Sequence, residues 1–385
     1  MSAPSTVRIL SQLIAFDTTS RNSNRPLLDY VVPFLRSYGI EPLLIWNEDK
    51  SKANLWATIG PQNGRGIILS GHTDTVPVDG QEWNTDPFAL TGRDDLLYGR
   101  GSCDMKGFLA SVLALVPKVV ASPLKRPIHI AFSYDEELGC VGVRSLISYL
   151  RDHPPNAVWC IVGEPTLMQP VVGHKGGRSY RVRVTGREAH SSLAPQAVNA
   201  ISYAAELIAF LNTIAESMRA GASDPLYDVS HSTLSVGLIN GGSAINIVPR
   251  HCEFVFEFRY LLGVDANAIM ANIHDHACGT LLPRMRAIAP EADITFENIY
   301  AYPNFDIDPR HELVTRIKSW VGSNAEAKVA YGTEAGYFAA DLGIPTIVCG
   351  PGSIMQAHKP NEFVAREQLD ACDEFLGKIL SFCVS

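Results

Sequence analysis

Five short islands of histidine and carboxylate are spread along this 385-residue chain, each beside an apolar run. They read Gly71-His72-Thr73-Asp74, Ser102-Cys103-Asp104-Met105-Lys106-Gly107, Asp135-Glu136-Glu137, Gly163-Glu164-Pro165-Thr166 and Gln356-Ala357-His358-Lys359-Pro360. Two imidazoles and several carboxylates, delivered by separate strand ends, are the donors that a site for two divalent cations needs. Each island alone has an ordinary reading. A histidine after a strand is commonly a loop or core residue, paired acids suit the start of a helix, and Gly-Glu-Pro is a turn. Those readings would have to hold independently at five places. One metal-dependent hydrolytic centre accounts for all of them.

Charge accounting gives each island a role. Two divalent ions carry four positive charges. If Asp104 bridges them and each takes one further carboxylate, three negative charges offset four, and the remaining charge holds a hydroxide. Metal binding brings the pKa of water from about 15.7 to about 7. With one imidazole per ion, His72 and Glu164 serve one cation, and Glu137 and His358 the other. Zinc suits these donors, with cobalt as the alternative. Adjacent side chains on an extended or turning backbone diverge, so Glu136 is left to face the substrate as general base. Asp74 is placed to hydrogen-bond the second ring nitrogen of His72.

The elements that must position these groups follow from the apolar pattern. Residues 67–70 read as a buried strand entering the His72 island. A helix runs from Asp104 to about Val120, a strand from Ile128 to Tyr134, a helix from about Gly142 to Arg151, and a strand from Ala157 to Val162. Strand, ligand and helix in repetition predict a mixed, largely parallel sheet flanked by helices, an α/β fold. Ligands in such sheets collect beyond the carboxyl ends of the strands. Near Gly177 the texture changes to period-two alternation, as in Tyr180-Arg181-Val182-Arg183-Val184-Thr185. Strands at 233–239, 252–259 and 293–300 with helices at 197–218 and 266–285 predict a smaller α+β domain. After Pro303 the first texture returns, with a helix at 312–321, a strand at 346–349 and a closing helix at 366–382. The first domain is therefore expected to be discontinuous, 1–177 with 301–385, and 178–300 to be inserted into it.

The islands also carry a resemblance. Gly71-His72-Thr73-Asp74-Thr75-Val76-Pro77, Gly99-Arg100-Gly101-Ser102-Cys103-Asp104-Met105-Lys106-Gly107, Asp135-Glu136-Glu137 and Gly163-Glu164-Pro165-Thr166 resemble, in order, the motifs of the M20 metallopeptidase and deacylase family. That family includes acetylornithine deacetylases, succinyl-diaminopimelate desuccinylases, aminoacylases and glutamate carboxypeptidases. The resemblance implies a zinc-exopeptidase-like catalytic domain, an inserted dimerisation and lid domain, the ligand assignment above, and a cis peptide after Asp104. It also implies that His190 reaches a homodimer partner's site to hold the developing oxyanion, and that Asn246 and Arg259 bind the substrate α-carboxylate. Without it, His190 is a surface-loop histidine and Arg259 an exposed strand-end residue. Within the family, His174-Lys175-Gly176, Tyr331-Gly332-Thr333-Glu334-Ala335 and Gly350-Pro351-Gly352-Ser353-Ile354 are most similar to the acetylornithine deacetylases. Glu334 is a candidate for meeting a cationic substrate side chain, or for a structural role in its loop.

The expected reaction is hydrolysis of an N-acyl-amino acid, foremost N2-acetyl-L-ornithine. The rivals are acetylcitrulline, succinyl-diaminopimelate or a dipeptide on the same machinery, and a catalytically silent binding protein that would have lost the base or a ligand. A hydrophobic fraction of 46% with 19% charged residues fits a soluble globular protein, and a net charge of −8 opposes nucleic-acid binding. No apolar stretch approaches a membrane span, no signal peptide is visible, and eight scattered cysteines without a C-x-x-C pair suit the reduced cytoplasm.

Overall fold

The computed structural model of the chain describes residues 5–385, which divide into two compact units. One comprises the residues up to His174 together with Phe305–Ser385, the other Lys175–Asn304. The boundaries lie slightly outside the positions read from sequence, because the strands that open and close the second unit, Gly176–Thr185 and Asp293–Tyr302, run on in both directions.

A nine-stranded mixed sheet organises the first unit. Its order is Leu43–Trp46, Ala53–Ile59, Ile128–Ser133, Gly66–His72, Ala157–Pro165, Thr346–Gly350, Val171–His174 and Phe305–Asp306, with Ala327–Val329 also pairing with Val171–His174. The middle four strands are parallel. Ile67, Ile68 and Leu69 are wholly buried and face a partner on both sides, Ile67 pairing with Ile128 and Trp159. A strand covered on both faces is uniformly apolar, and this is why these runs lack alternation. A small three-stranded sheet of Thr91–Arg93, Leu96–Tyr98 and Phe363–Ala365 accompanies it.

Helices complete the layers. Val143, Leu146, Ile147 and Leu150 are the buried face of the Val143–Asp152 helix, spaced one turn apart. The Lys106–Val120 helix is buried almost all round, as expected of one that packs directly beneath a site. It approaches the sheet closely enough to dictate two glycines. A Cβ at Gly71 would lie 2.6 Å from the Met105 methyl, and one at Gly163 2.0 Å from the Phe108 ring. Glycine therefore precedes both His72 and Glu164 for the same steric reason.

The second unit is a four-stranded antiparallel sheet ordered Thr233–Gly241, His251–Tyr260, Gly176–Thr185 and Asp293–Tyr302. Val182, Val184, Phe254, Phe256 and Phe258 turn one face toward helices whose Leu207, Leu211 and Ile273 complete a core. Arg181 and Arg183 on the other face pair with Glu253 and Glu297. The single helix read over 266–285 is divided: Ala266–His276, a π-helical turn at Ala277–Leu281, then Leu282–Arg286. The apolar spacing continues through that turn, so the break is invisible to periodicity. Among the described residues no helix is long and apolar enough to cross a membrane. All eight cysteines are free thiols, seven of them buried.

Candidate metal centre

The five islands converge at the carboxyl ends of the parallel strands. His72 ends its strand, Glu164 lies near the end of the neighbouring one, and Glu136 and Glu137 follow Ile128–Ser133. Asp104 stands just before the buried helix, and the Asp104–Met105 peptide is cis, as the resemblance implies. His358 arrives on the loop after Thr346–Gly350, with a left-handed φ of 63°.

Asp104 is the centre of the arrangement. Its Oδ1 lies 3.1 Å from His72 Nε2, and its Oδ2 3.3 Å from His358 Nε2. Beyond His72, Glu164 Oε1 stands 3.7 Å from the same nitrogen. On the other side, Glu137 Oε2 is 3.0 Å from His358 Nε2. Ligand-type atoms of His72, Asp104 and Glu137 all lie within 4.8 Å of one another, as do those of His72, Glu136 and Glu164. One carboxylate thus offers an oxygen to each of two imidazoles, each with its own additional carboxylate.

A cation fits this cluster. Glu164 Oε1 is buried with no hydrogen-bond partner, and an orphaned carboxylate oxygen in the interior is costly unless a positive charge meets it. Protons substitute imperfectly for such a charge, and the strained ionisation shows it. Burial pushes Glu136 up to about 8 and Glu137 to about 7, with neighbouring carboxylates adding to both shifts. Burial likewise raises Glu164 well above the ordinary range. His358 is pushed up to about 10 by its hydrogen bonds to Asp104 and Glu137. Burial disfavours a charged His72, but Glu164, Asp104 and Asp74 overcome it and hold its pKa high.

A model of the family described as Peptidase family M20/M25/M40 matches residues 68–381. The chain belongs to this family. Acetylornithine deacetylase from Proteus mirabilis is 34% identical over 99% of the chain and 98% of its own length, and that from Pasteurella multocida 33% over 99% and 98%. Among solved structures, an M20 family metallo-carboxypeptidase from Sulfolobus solfataricus superposes with a TM-score of 0.78 at 18% identity, covering 98% of each chain. The dipeptidase Dug1p from Saccharomyces cerevisiae gives 0.76 at 14%, covering 98% of this chain and 95% of its own. These structures share the mixed sheet and the separate antiparallel domain. The protein is a hydrolase of a metal-dependent family.

The surroundings of this M20 centre modify several expectations. Asp74 does less for the His72 ring than its spacing suggests. The nearer acceptor for Nδ1 is the Asp74 carbonyl at 2.9 Å, the carboxylate lying 3.5 Å away. The carboxylate instead receives Glu136 N at 3.1 Å, Glu137 N at 3.3 Å and Ser20 Oγ at 2.7 Å. Asp74 thus fixes the turn that presents both glutamates. Glu334 is wholly buried between two strands, accepting from Ser70 Oγ at 2.5 Å and Ser133 Oγ at 2.6 Å. With both oxygens engaged inside the sheet, its placement favours the structural alternative over contact with a substrate cation.

In the second unit, His190 and Asn246 are exposed and adjacent through the backbone: Ser191 N donates to Asn246 O at 2.9 Å, and His190 bridges to Ile247. His190 Nδ1 lies 2.8 Å from Ser192 Oγ and 3.3 Å from Ser192 N. Arg259 is half-buried against Glu257 at 3.2 Å and Tyr302 Oη at 3.2 Å. Sequence reasoning passed over Ser20, Lys52, Arg100 and Glu362. Lys52 Nζ pairs with Asp135 at 2.6 Å beside the two glutamates, and Arg100 with Glu362 at 2.7 Å behind Asp104. Arg100 stands in the motif Gly99–Gly107 and Glu362 follows the His358 island by two residues, but neither position carries a role until the fold closes.

Proposed function

We propose that the protein removes the acyl group from an N-acyl-amino acid, with N2-acetyl-L-ornithine as substrate and L-ornithine and acetate as products. The observation that carries the hydrolytic reading is Asp104, whose two oxygens face two different imidazoles at 3.1 and 3.3 Å. The choice of substrate is supported by the full-length similarity to acetylornithine deacetylases. His72, Asp104 and Glu164 would hold one divalent cation, and His358, Glu137 and the second oxygen of Asp104 the other. Bound there, zinc or cobalt would polarise the acyl oxygen and acidify water. Glu136 takes a proton from the attacking water as its oxygen bonds to the acyl carbon. It then delivers that proton to the nitrogen as the C–N bond breaks. Cys140 Sγ donates to Glu136 Oε1 at 3.2 Å, which orients the carboxylate without competing for its proton.

Asn246 is proposed to bind the substrate α-carboxylate and His190 to stabilise the oxyanion across a homodimer. Arg259, already paired with Glu257, is the weaker partner for the carboxylate. The exposed Thr233–Gly241 edge, with Leu238 at 67% and Ile239 at 57% exposure, supports association, since an apolar edge strand invites pairing. Its free cysteines suit a cytoplasmic enzyme. Steady-state kinetics on acetylornithine, acetylcitrulline, succinyl-diaminopimelate and a dipeptide, with and without zinc, test the reading. Acetylornithine should have the highest kcat/KM; a higher value for any other compound overturns the substrate choice.

A further inference from the structure

Two halves of the centre are held in different ways. His72 and Glu164 belong to central strands, so their backbones are fixed by the sheet itself. His358 belongs to a loop, its side chain is about half exposed, and both it and Asn361 take left-handed φ values. Something other than secondary structure must hold that loop.

A buried polar network does so. Glu362 accepts four hydrogen bonds: from Cys103 N at 2.9 Å and Asp104 N at 3.0 Å on one oxygen, and from Gly101 N at 3.1 Å and Arg100 Nη1 at 2.7 Å on the other. Arg100 and Glu362 are each only 1% exposed. From Arg100, Nη2 reaches Gln81 Oε1 at 2.6 Å, while the guanidinium lies 5.1 Å over the Trp83 ring. Trp83 Nε1 also donates to Gln81 Oε1, at 3.1 Å. Gln81 then uses its amide nitrogen to hold the carbonyl of His358 at 3.2 Å. The chain of contacts runs from the backbone of Asp104, through a buried ion pair, to the backbone of His358.

We propose that Glu362, Arg100 and Gln81 are positioning residues that set the distance between Asp104 and His358, so that the two cations bind with separable affinities. The cation at His72 and Glu164 depends on the sheet, and the one at His358 and Glu137 depends on this network. The inference rests on the two-cation reading above. A buried carboxylate that accepts four donors cannot be replaced without leaving several of them unmet, and groups that orient ligands are typically worth about 10–100-fold in metal affinity.

The test is cobalt titration of chelator-treated, full-length protein, followed by visible absorption and calorimetry. Wild type should take up two ions per chain. Gln81→Ala removes the link to His358 without stranding a buried charge; it should bind the first ion unchanged and the second about 10–100-fold more weakly. Glu362→Gln should shift the second ion at least as far, and His358→Ala provides the benchmark spectrum for its loss. If Glu362→Gln does not fold, Gln81→Ala decides alone. Two ions bound by Gln81→Ala with wild-type affinities would overturn the proposal. Wild type binding fewer than two ions would overturn the two-cation reading instead, before any variant is compared.

Discussion

The inner half of the centre, His72 with Glu164, and the outer half, His358 with Glu137, use the same donor types and share Asp104, yet they are built on different physics. Inner donors sit on continuous apolar strands, with glycines before them that let a buried helix approach. The outer donors sit on a turn and a loop, held by Asp74, Glu362, Arg100 and Gln81 through hydrogen bonds. Burial makes the first half rigid at the cost of stranded charge. Hydrogen bonding holds the second half, in which the Glu137 side chain is buried and that of His358 about half exposed, and makes it dependent on specific partners.

The largest effect should come from the group assigned to neither half. Glu136→Gln is expected to lower turnover of acetylornithine about 10²–10⁴-fold while both ions remain bound; amine release and metal analysis together measure this. Wild-type turnover in the metal-replete variant would remove Glu136 from the chemistry. Next comes the inner half. His72→Ala strands Asp104 and Glu164 as buried carboxylates, and should cost about 3 kcal/mol of stability, read from urea unfolding of the chelator-treated protein. His358→Ala, half exposed, should change the same unfolding curve far less. Equal destabilisation by the two variants would erase the contrast between the halves.

A smaller effect concerns pH. Without cations, Glu136 and Glu137 have folded pKa values near 8 and 7, raised above their ordinary value by burial, and His358 is raised to about 10 by its acidic partners. Raised folded values mean that the folded state holds more protons than the unfolded one at intermediate pH, so stability falls as pH rises. For the glutamates the loss runs from about pH 4.5 to 8, and for His358 from about 6.5 to 10. The melting temperature of chelator-treated protein should therefore decline from about pH 5 to 10. With zinc bound, ligand protons are displaced at lower pH, and the decline should flatten. A metal-free protein that grows more stable across this range would contradict the charge distribution described here.

The parallel part of the sheet was legible because a strand buried on both faces leaves an uninterrupted apolar run, and His72, Glu136 and Glu164 each follow one. The second unit was legible for the opposite reason: residues 180–185 alternate because only one face is covered. The short strands Val171–His174, Phe305–Asp306 and Ala327–Val329 were not, since a few residues carry no period and their pairing is decided by neighbours distant in sequence. Glu362 and Glu334 illustrate the same limit in the site. Sequence shows a carboxylate, but whether it meets a cation, a pair of serines or a row of backbone N–H groups depends on what the fold brings to it.

The strand Thr346–Gly350 lies between Ala157–Pro165 and Val171–His174, with Thr346 beside Cys160. A ribosome makes the outer two long before the middle one. Until that late strand inserts, a nascent chain has a gap in its sheet and an Arg100 with no Glu362 to meet. The carboxyl-terminal segment that fills the gap also brings His358. Biogenesis is therefore ordered by topology: the inner donors are synthesised first, and a complete centre exists only once His358 and Glu362 have emerged. Pairing across such a long separation is slow, so premature chains would expose unpaired strand edges and attract chaperones before they could be loaded with metal.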